Sequence, residues 1–347
     1  MIKWMLRIIG FGLLIPAFTL LLIALVPVTY DVPEYQGQGG KSFWQLQTGS
    51  RIAYTLIPGK GDKSAYPVIF LQGGPGGPIY QRNIEQLSPL ADDGYDVYLY
   101  DQIGCGASGR LEHINEYSVD RHKRDLAAII EKIGAQKVIL IGQSWGAMLA
   151  AAFISEHPGK IEKVVFTGPG PLLPVNNELI GVNAPDSLQL RVPKYTNRDG
   201  KKKVYNIRAR FVEALAKAFD WKLASDEEMD AFATLLNHEM AKSTVCNPDK
   251  ETTQHAMESG SGYYAMVKTA QSFNSVPDVR PGLKGCRVPA LIMRGQCDGI
   301  KWGFTNEYLQ LFSNCKLVVV PNAGHAIGVE QPEVYIETIR RFLAIIE

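Results

Sequence analysis

Residues 142–146 read Gly-Gln-Ser-Trp-Gly and follow the apolar run Lys137-Val-Ile-Leu-Ile141. The run predicts a buried strand, and the residues from Ala147 onward predict a helix. A serine on the sharp turn between them, with a glycine two residues to either side, has the strand-to-helix pattern of a nucleophile elbow. Such a turn needs neighbours without side chains, because a Cβ at Gly142 or Gly146 would collide with the adjoining backbone. Ser144 is therefore the candidate nucleophile. Taken alone, the pentapeptide also describes a glycine-flanked serine in an ordinary loop, so the reading depends on partners elsewhere in the chain.

A serine hydroxyl is a weak nucleophile until a histidine takes its proton and an acid orients that histidine, in the chain order serine, acid, histidine. Pro289-Ala-Leu-Ile-Met-Arg294 reads as a strand that runs into Gly-Gln-Cys-Asp298, and Lys316-Leu-Val-Val-Val320 as the next, running into Pro-Asn-Ala-Gly-His325. Both candidates then lie in loops at the carboxyl edge of the strands, where open α/β sheets carry their chemistry. Of the six histidines only His325 has this position. The stretch Val164-Val-Phe-Thr-Gly-Pro-Gly170 offers no carboxylate, which leaves Asp298 as the acid.

Acyl transfer also needs donors aimed at the developing oxyanion, normally the N–H after the nucleophile and one from a loop after an earlier strand. Trp145 supplies the first. Leu71-Gln-Gly-Gly-Pro-Gly-Gly77 follows the predicted strand Pro67-Val-Ile-Phe-Leu71, and Gly74 is the candidate for the second. The same glycines could cradle a phosphate, but the Lys and Ser/Thr of a P-loop are missing, which argues against nucleotide binding.

Taken together, Gln72-Gly-Gly-Pro-Gly76, Asp101-Gln-Ile-Gly-Cys-Gly-Ala-Ser108, Gly142-Gln-Ser-Trp-Gly-Ala147, Asp298 and Gly324-His325 resemble the proline iminopeptidase branch of the α/β-hydrolases. The resemblance covers about residues 40–170 and 280–347. It implies an α/β-hydrolase fold with a mostly parallel central sheet flanked by helices, and a Ser144, Asp298, His325 triad. It further implies an oxyanion hole of Gly74 and Trp145, a structural loop over residues 101–108, and release of N-terminal residues from small peptides through an acyl-enzyme. Two departures stand out. Gln72 occupies the place of the family's histidine, and the tryptophan-glutamate element that holds a substrate's amino group has no clear counterpart. Glu239 and Glu258 are possible substitutes, but each reads equally as a solvated helix residue, and neither is assigned. A carboxylesterase on small acyl esters is the alternative activity, since the same machinery cleaves either bond. A non-catalytic hydrolase-like binding protein is the second alternative.

The 347 residues, 46% hydrophobic and 20% charged, can bury a full core. A net charge of +1 gives no reason to expect nucleic acid, and no metal or cofactor is implied. Thr48-Gly-Ser50 between two apolar-rich stretches predicts a hairpin, and Tyr95-Asp-Val-Tyr-Leu-Tyr100 a strand. Residues 119–133 read as a helix capped by Ser118. The strand-helix alternation breaks after Gly170, where helical patterns over 209–219 and 226–240 predict a cap, or lid, spanning residues 171–275. The core then divides into residues 42–170 and 276–347, with 31–41 as a polar linker. Asp199-Gly-Lys-Lys-Lys203 reads as a solvated loop, and Tyr263-Tyr264 as either pocket wall or core.

After Lys3 and Arg7, residues 8–28 carry no charged side chain; as a helix they would span about 30 Å, a bilayer's hydrocarbon thickness. No small-residue cleavage pattern follows, so residues 1–30 are expected to be an uncleaved membrane anchor, with a cleaved signal and a secreted product as the alternative. Lys3 and Arg7 would remain cytoplasmic and the catalytic portion would lie on the periplasmic or extracellular side. Five cysteines leave at least one unpaired, but in an exported body pairing becomes possible. Cys286 and Cys315, each just before a predicted strand, are the expected disulfide, with Cys297 a small packing residue.

Overall fold

The computed structural model describes residues 22, 24–37, 40–249 and 256–345. An eight-stranded sheet in the order β1-β2-β4-β3-β5-β6-β7-β8 organises the chain. Its strands are β1 (Ser42–Gln45), β2 (Arg51–Ile57), β3 (Val68–Leu71), β4 (Val97–Tyr100), β5 (Val138–Gln143), β6 (Ile161–Thr167), β7 (Ala290–Gly295) and β8 (Cys315–Val320). β1 and β2 form the expected hairpin, β2 runs antiparallel to β4, and every later pairing is parallel.

The central strands are buried on both faces, which explains why they read as unbroken apolar runs rather than alternating ones. Ile69, Leu140, Val164 and Ile292 point to one face, where they meet α2 (Val119–Ile133) and α3 (Trp145–Glu156). Val68, Phe70, Ile139, Val165 and Leu291 point to the other, with Leu87 of α1 (Gln81–Leu87) and Ile339 and Leu343 of the C-terminal helix (Pro332–Leu343). Helix α2 begins where Ser118 caps it, its side chain accepting from the Arg121 N–H at 3.1 Å, and ends at Gly134, whose φ of 74° stops the helix. Helix α3 is buried from Trp145 to Ile154, and its alanines let it lie close against the strands.

Between β6 and β7 the chain leaves the sheet for α4 (Asn197–Val204), α5 (Ile207–Phe219), α6 (Asp226–Ala241) and α7 (Tyr263–Gln271). One expectation is corrected here, and one left open is decided. The basic cluster at 199–203 is not a loop but most of α4, opened by a capping box in which Asp199 and Thr196 serve each other's backbone. Its glycine is there for proximity: a Cβ on Gly200 would stand 3.2 Å from the Glu239 backbone of α6. Tyr263 and Tyr264 are core, fully buried, with the Tyr264 hydroxyl donating to the Ala224 carbonyl at 2.7 Å.

The expected Cys286–Cys315 disulfide is absent; both are free, and the bond joins Cys246 to Cys297, whose Cα atoms lie 5.2 Å apart. Strand register is the reason. Cys286 bridges to Phe312 and accepts from Ser313, whereas Cys315 sits opposite Ala290 on β7, so the two thiols are staggered along the sheet. Cys297 is thus a cross-link rather than a packing residue.

Most of the apolar run 8–28 lies outside the described residues, and among the described residues no helix is long and apolar enough to cross a membrane. Its last turn is held by the inserted helices. Arg208 donates to the Ala24 and Leu25 carbonyls at 2.9 and 3.1 Å and grips both oxygens of Glu228, which accepts from the Val28 N–H at 3.1 Å. The stretch read as a linker is also docked: Lys41 forms a buried ion pair with Asp101, beside the Tyr35 hydroxyl.

Candidate active site

Ser144 sits between β5 and α3 with φ 54° and ψ −112°, a left-handed conformation that a residue with a Cβ adopts only where its surroundings impose it. Its surroundings do so. A Cβ on Gly142 would come within 2.6 Å of the Gly146 carbonyl, and one on Gly146 would run into the Leu71 carbonyl at the end of β3. The glycines thus let the turn close and let α3 start at Trp145, two residues earlier than its sequence predicts.

Asp298 and His325 come together from the loops after β7 and β8. Backbone bonds from Gln296 to Val320 and from Cys297 to Ala323 stitch these loops side by side. The His325 Nδ1 lies 3.0 Å from Asp298 Oδ1, which also accepts from the Ile300 N–H at 2.9 Å. Burial by itself pushes the Asp298 carboxyl up, but the charge and hydrogen bond of His325, with Arg294 and the Ile300 N–H, outweigh it and hold the group below the usual carboxylate range. Burial likewise pushes the imidazole down, yet the Asp298 charge and hydrogen bond raise it above an ordinary histidine. The other buried histidine, His122, has no carboxylate beside it; burial and then Arg121 push it down to about 3, so it is a neutral packing residue bonded to Thr269.

Ser144 and His325 line one cavity of about 320 Å³ with Gly73 and Gly74. The Gly73 N–H is turned away from it, donating at 2.9 Å to the Gln72 side chain, and among the described hydrogen bonds none uses the Gly74 N–H. The Trp145 N–H opens a helix, where a backbone N–H has no intrahelical acceptor, and among the described main-chain bonds none uses it either. Gln72 replaces the imidazole with an amide that donates to the Pro78 carbonyl and Asn83 Oδ1, at 3.0 and 2.8 Å, while the Gln72 main-chain carbonyl accepts from the Gln102 side chain. Gln102 in turn accepts from the Trp145 indole at 2.8 Å, tying the glycine loop to the elbow. The Asp101 carboxylate is occupied by the Ile79 and Ala107 N–H groups, Lys41 and the Tyr35 hydroxyl, as a loop-building residue's would be.

Three contributors escaped the sequence reading. The Cys246–Cys297 bond fastens the chain after α6 to the residue before Asp298. Glu330 accepts from the N–H groups of Gly324 and Cys246 at 2.6 and 2.8 Å, joining the histidine loop to the same segment. Arg82 reaches the cavity, stacked over Tyr80 and paired with Glu258. Only the cysteine beside Asp298 was a visible signal; the others depend on contacts between distant segments. Of the two carboxylates considered for an amino group, Glu258 is thus engaged by Arg82 and Glu239 by Lys203 and Lys242.

The sequence profile described as alpha/beta hydrolase fold matches residues 66–332, and the chain belongs to that family. Within it the chain is proline iminopeptidase-like: it is 28% identical to the proline iminopeptidase of Heyndrickxia coagulans over 298 residues, 85% of this chain and 96% of the relative. Among solved structures, the proline iminopeptidase of Mycobacterium smegmatis superposes with a TM-score of 0.57 at 18% identity, covering 87% of this chain and 97% of that one. An esterase of Exiguobacterium antarcticum does so with 0.56 at 18% identity, covering 88% and 99%. At that identity the two structures speak for the fold alone.

Proposed function

We propose that the protein is a serine hydrolase acting through an acyl-enzyme, and that it releases N-terminal residues from small peptides. Ser144 attacks the carbonyl carbon, His325 takes the hydroxyl proton and later gives it to the leaving amine, and Asp298 holds the imidazole. The Gly74 and Trp145 N–H groups receive the oxyanion. Water then repeats the sequence on the acyl-enzyme, releasing the free acid. The observation that carries this reading is the 3.0 Å Asp298–His325 pair opening onto the cavity that also holds the strained Ser144. The helical segment 171–275 acts as the lid: Asn237 and Met240 of α6 and Met266 of α7 line the same cavity.

A second reading, a carboxylesterase on small acyl esters, is favoured by one observation. Among the described residues no Asp or Glu lines the cavity around Ser144, so no carboxylate there awaits a substrate's ammonium group. A fluorophosphonate probe is expected to label the wild type and not Ser144→Ala, whose turnover should fall by about 10⁶. Labelling that persists in the variant would refute the nucleophile. Prolyl and alanyl reporters tested beside short-chain esters then separate the two activities.

The anchor reading of residues 8–28 is part of the proposal, with the body exported. The Cys246–Cys297 bond supports it, because structural disulfides persist in oxidising compartments. A protease-protection assay that found the body on the cytoplasmic side would overturn that orientation.

A further inference from the structure

Six of the large apolar side chains left exposed on the described surface fall in two stretches: Leu22, Leu25 and Val26 before the core, and Phe219, Trp221 and Leu223 from the end of α5 towards α6. Phe219, Trp221 and Val26 are each 60% exposed. Scattered single residues of this kind need no explanation, but a contiguous set does.

The two stretches share one side of the molecule. Arg208, on α5, holds the Ala24 and Leu25 carbonyls, and Glu228, on α6, holds the Val28 N–H, both from a pair that is itself buried. Leu223 lines a cavity with Pro27 and Val28. Phe219 and Trp221 stand as a tilted ring pair, centroids 5.2 Å apart, in the same turn. Lys217 and Lys222 flank them, paired with Glu213 and Asp226, so the charge at the rim is balanced.

We propose that this face of the inserted helices rests on a lipid bilayer, with Phe219, Trp221 and Leu223 in its interfacial layer beside residues 24–28. The occupant follows from where the uncharged run ends. The described end of that run, residues 24–28, lies on this side, and the buried Arg208–Glu228 clamp ties the inserted helices to it. The side chains are also those that partition to the membrane interface: an indole, a phenyl ring and an aliphatic group, with lysines whose stems can lie along apolar surface while their charges stay in water. The inference rests on residues 8–28 being a membrane segment, but it adds a second membrane contact through the lid itself.

The test uses the full chain in vesicles of phosphatidylcholine, unmodified or brominated near the headgroup end of the acyl chain. The Trp221 contribution is the difference in emission between wild type and Trp221→Phe. It should be present in unmodified vesicles and lost in brominated ones. Carbonate extraction of the same vesicles reports the anchor separately. Retention after carbonate with no bromine quenching of Trp221 overturns the bilayer contact while sparing the anchor; extraction together with absent quenching overturns both. A Trp221 emission that ignores bromine but shifts when protein is diluted in lipid assigns the face to a second copy instead, and one that ignores both assigns it to the chain's own residues 1–21. Either outcome rejects the inference.

Discussion

Cys246 and Cys297 are bonded, and Cys297 immediately precedes Asp298, so the end of the lid and the acid loop are a single covalent unit. Glu330 duplicates the link by hydrogen bonds on the histidine side. Closing a loop of 51 residues removes entropy from the unfolded chain worth about 4 kcal/mol. The double variant Cys246→Ser, Cys297→Ser is therefore expected to lower the denaturant midpoint, and reductant should do the same to the wild type and nothing further to the variant. An unchanged midpoint would mean that the bond contributes no constraint.

The raised His325 imidazole sets the acid limb of the rate profile. A protonated imidazole cannot accept the serine proton, so kcat/KM should be full above the raised histidine pKa and fall as pH drops through it, with a midpoint above an ordinary histidine's ~6.5. In Asp298→Asn the charge that raises the imidazole is gone. Its limb should move to lower pH while kcat drops by about 10⁴. A limb that stays in place in the variant would show that Asp298 does not control the histidine.

Gln72 is expected to matter through the loop it builds rather than through substrate contact. Its amide takes the Gly73 N–H and ties the turn to Pro78 and Asn83, which leaves Gly74 as the candidate oxyanion donor. Gln72→Ala should lower kcat by about 10²-fold with KM little changed, the mark of a donor lost only to the transition state. A rise in KM at constant kcat would instead make Gln72 a substrate-binding residue.

Among the described residues, Lys41 is the single ion-pair partner of the buried Asp101 carboxylate. Lys41→Ala leaves that charge with the Ile79 and Ala107 N–H groups and the Tyr35 hydroxyl, and a stability loss of about 3 kcal/mol is expected in denaturant unfolding. A loss below about 1 kcal/mol would mean that the Ile79 and Ala107 N–H groups and the Tyr35 hydroxyl suffice.

Local patterning made much of the site legible. Strand β5, the glycines around Ser144 and the Ser118 cap follow from sterics and hydrogen bonding within a few residues, so their signal is carried by the residues themselves. Asp298 and His325 could be picked out because a parallel sheet brings the carboxyl ends of its strands to one edge. Where contacts between distant segments decided, the reading failed. Gly200 was taken for a loop residue because its close approach to Glu239 has no local trace, and Cys286 was paired with Cys315 because strand stagger is not written in either strand.

By itself the order of residues determined the alternation of strands and helices, the elbow and the three candidate side chains, since each depends on apolar periodicity and on backbone sterics over short spans. Tertiary structure alone decided which cysteines meet, that Arg208 and Glu228 clamp the end of the N-terminal run to the lid, and that Arg82 and the lysines engage the lid's carboxylates. Those outcomes depend on the relative placement of segments up to about two hundred residues apart, which packing of the whole core sets and no local pattern encodes.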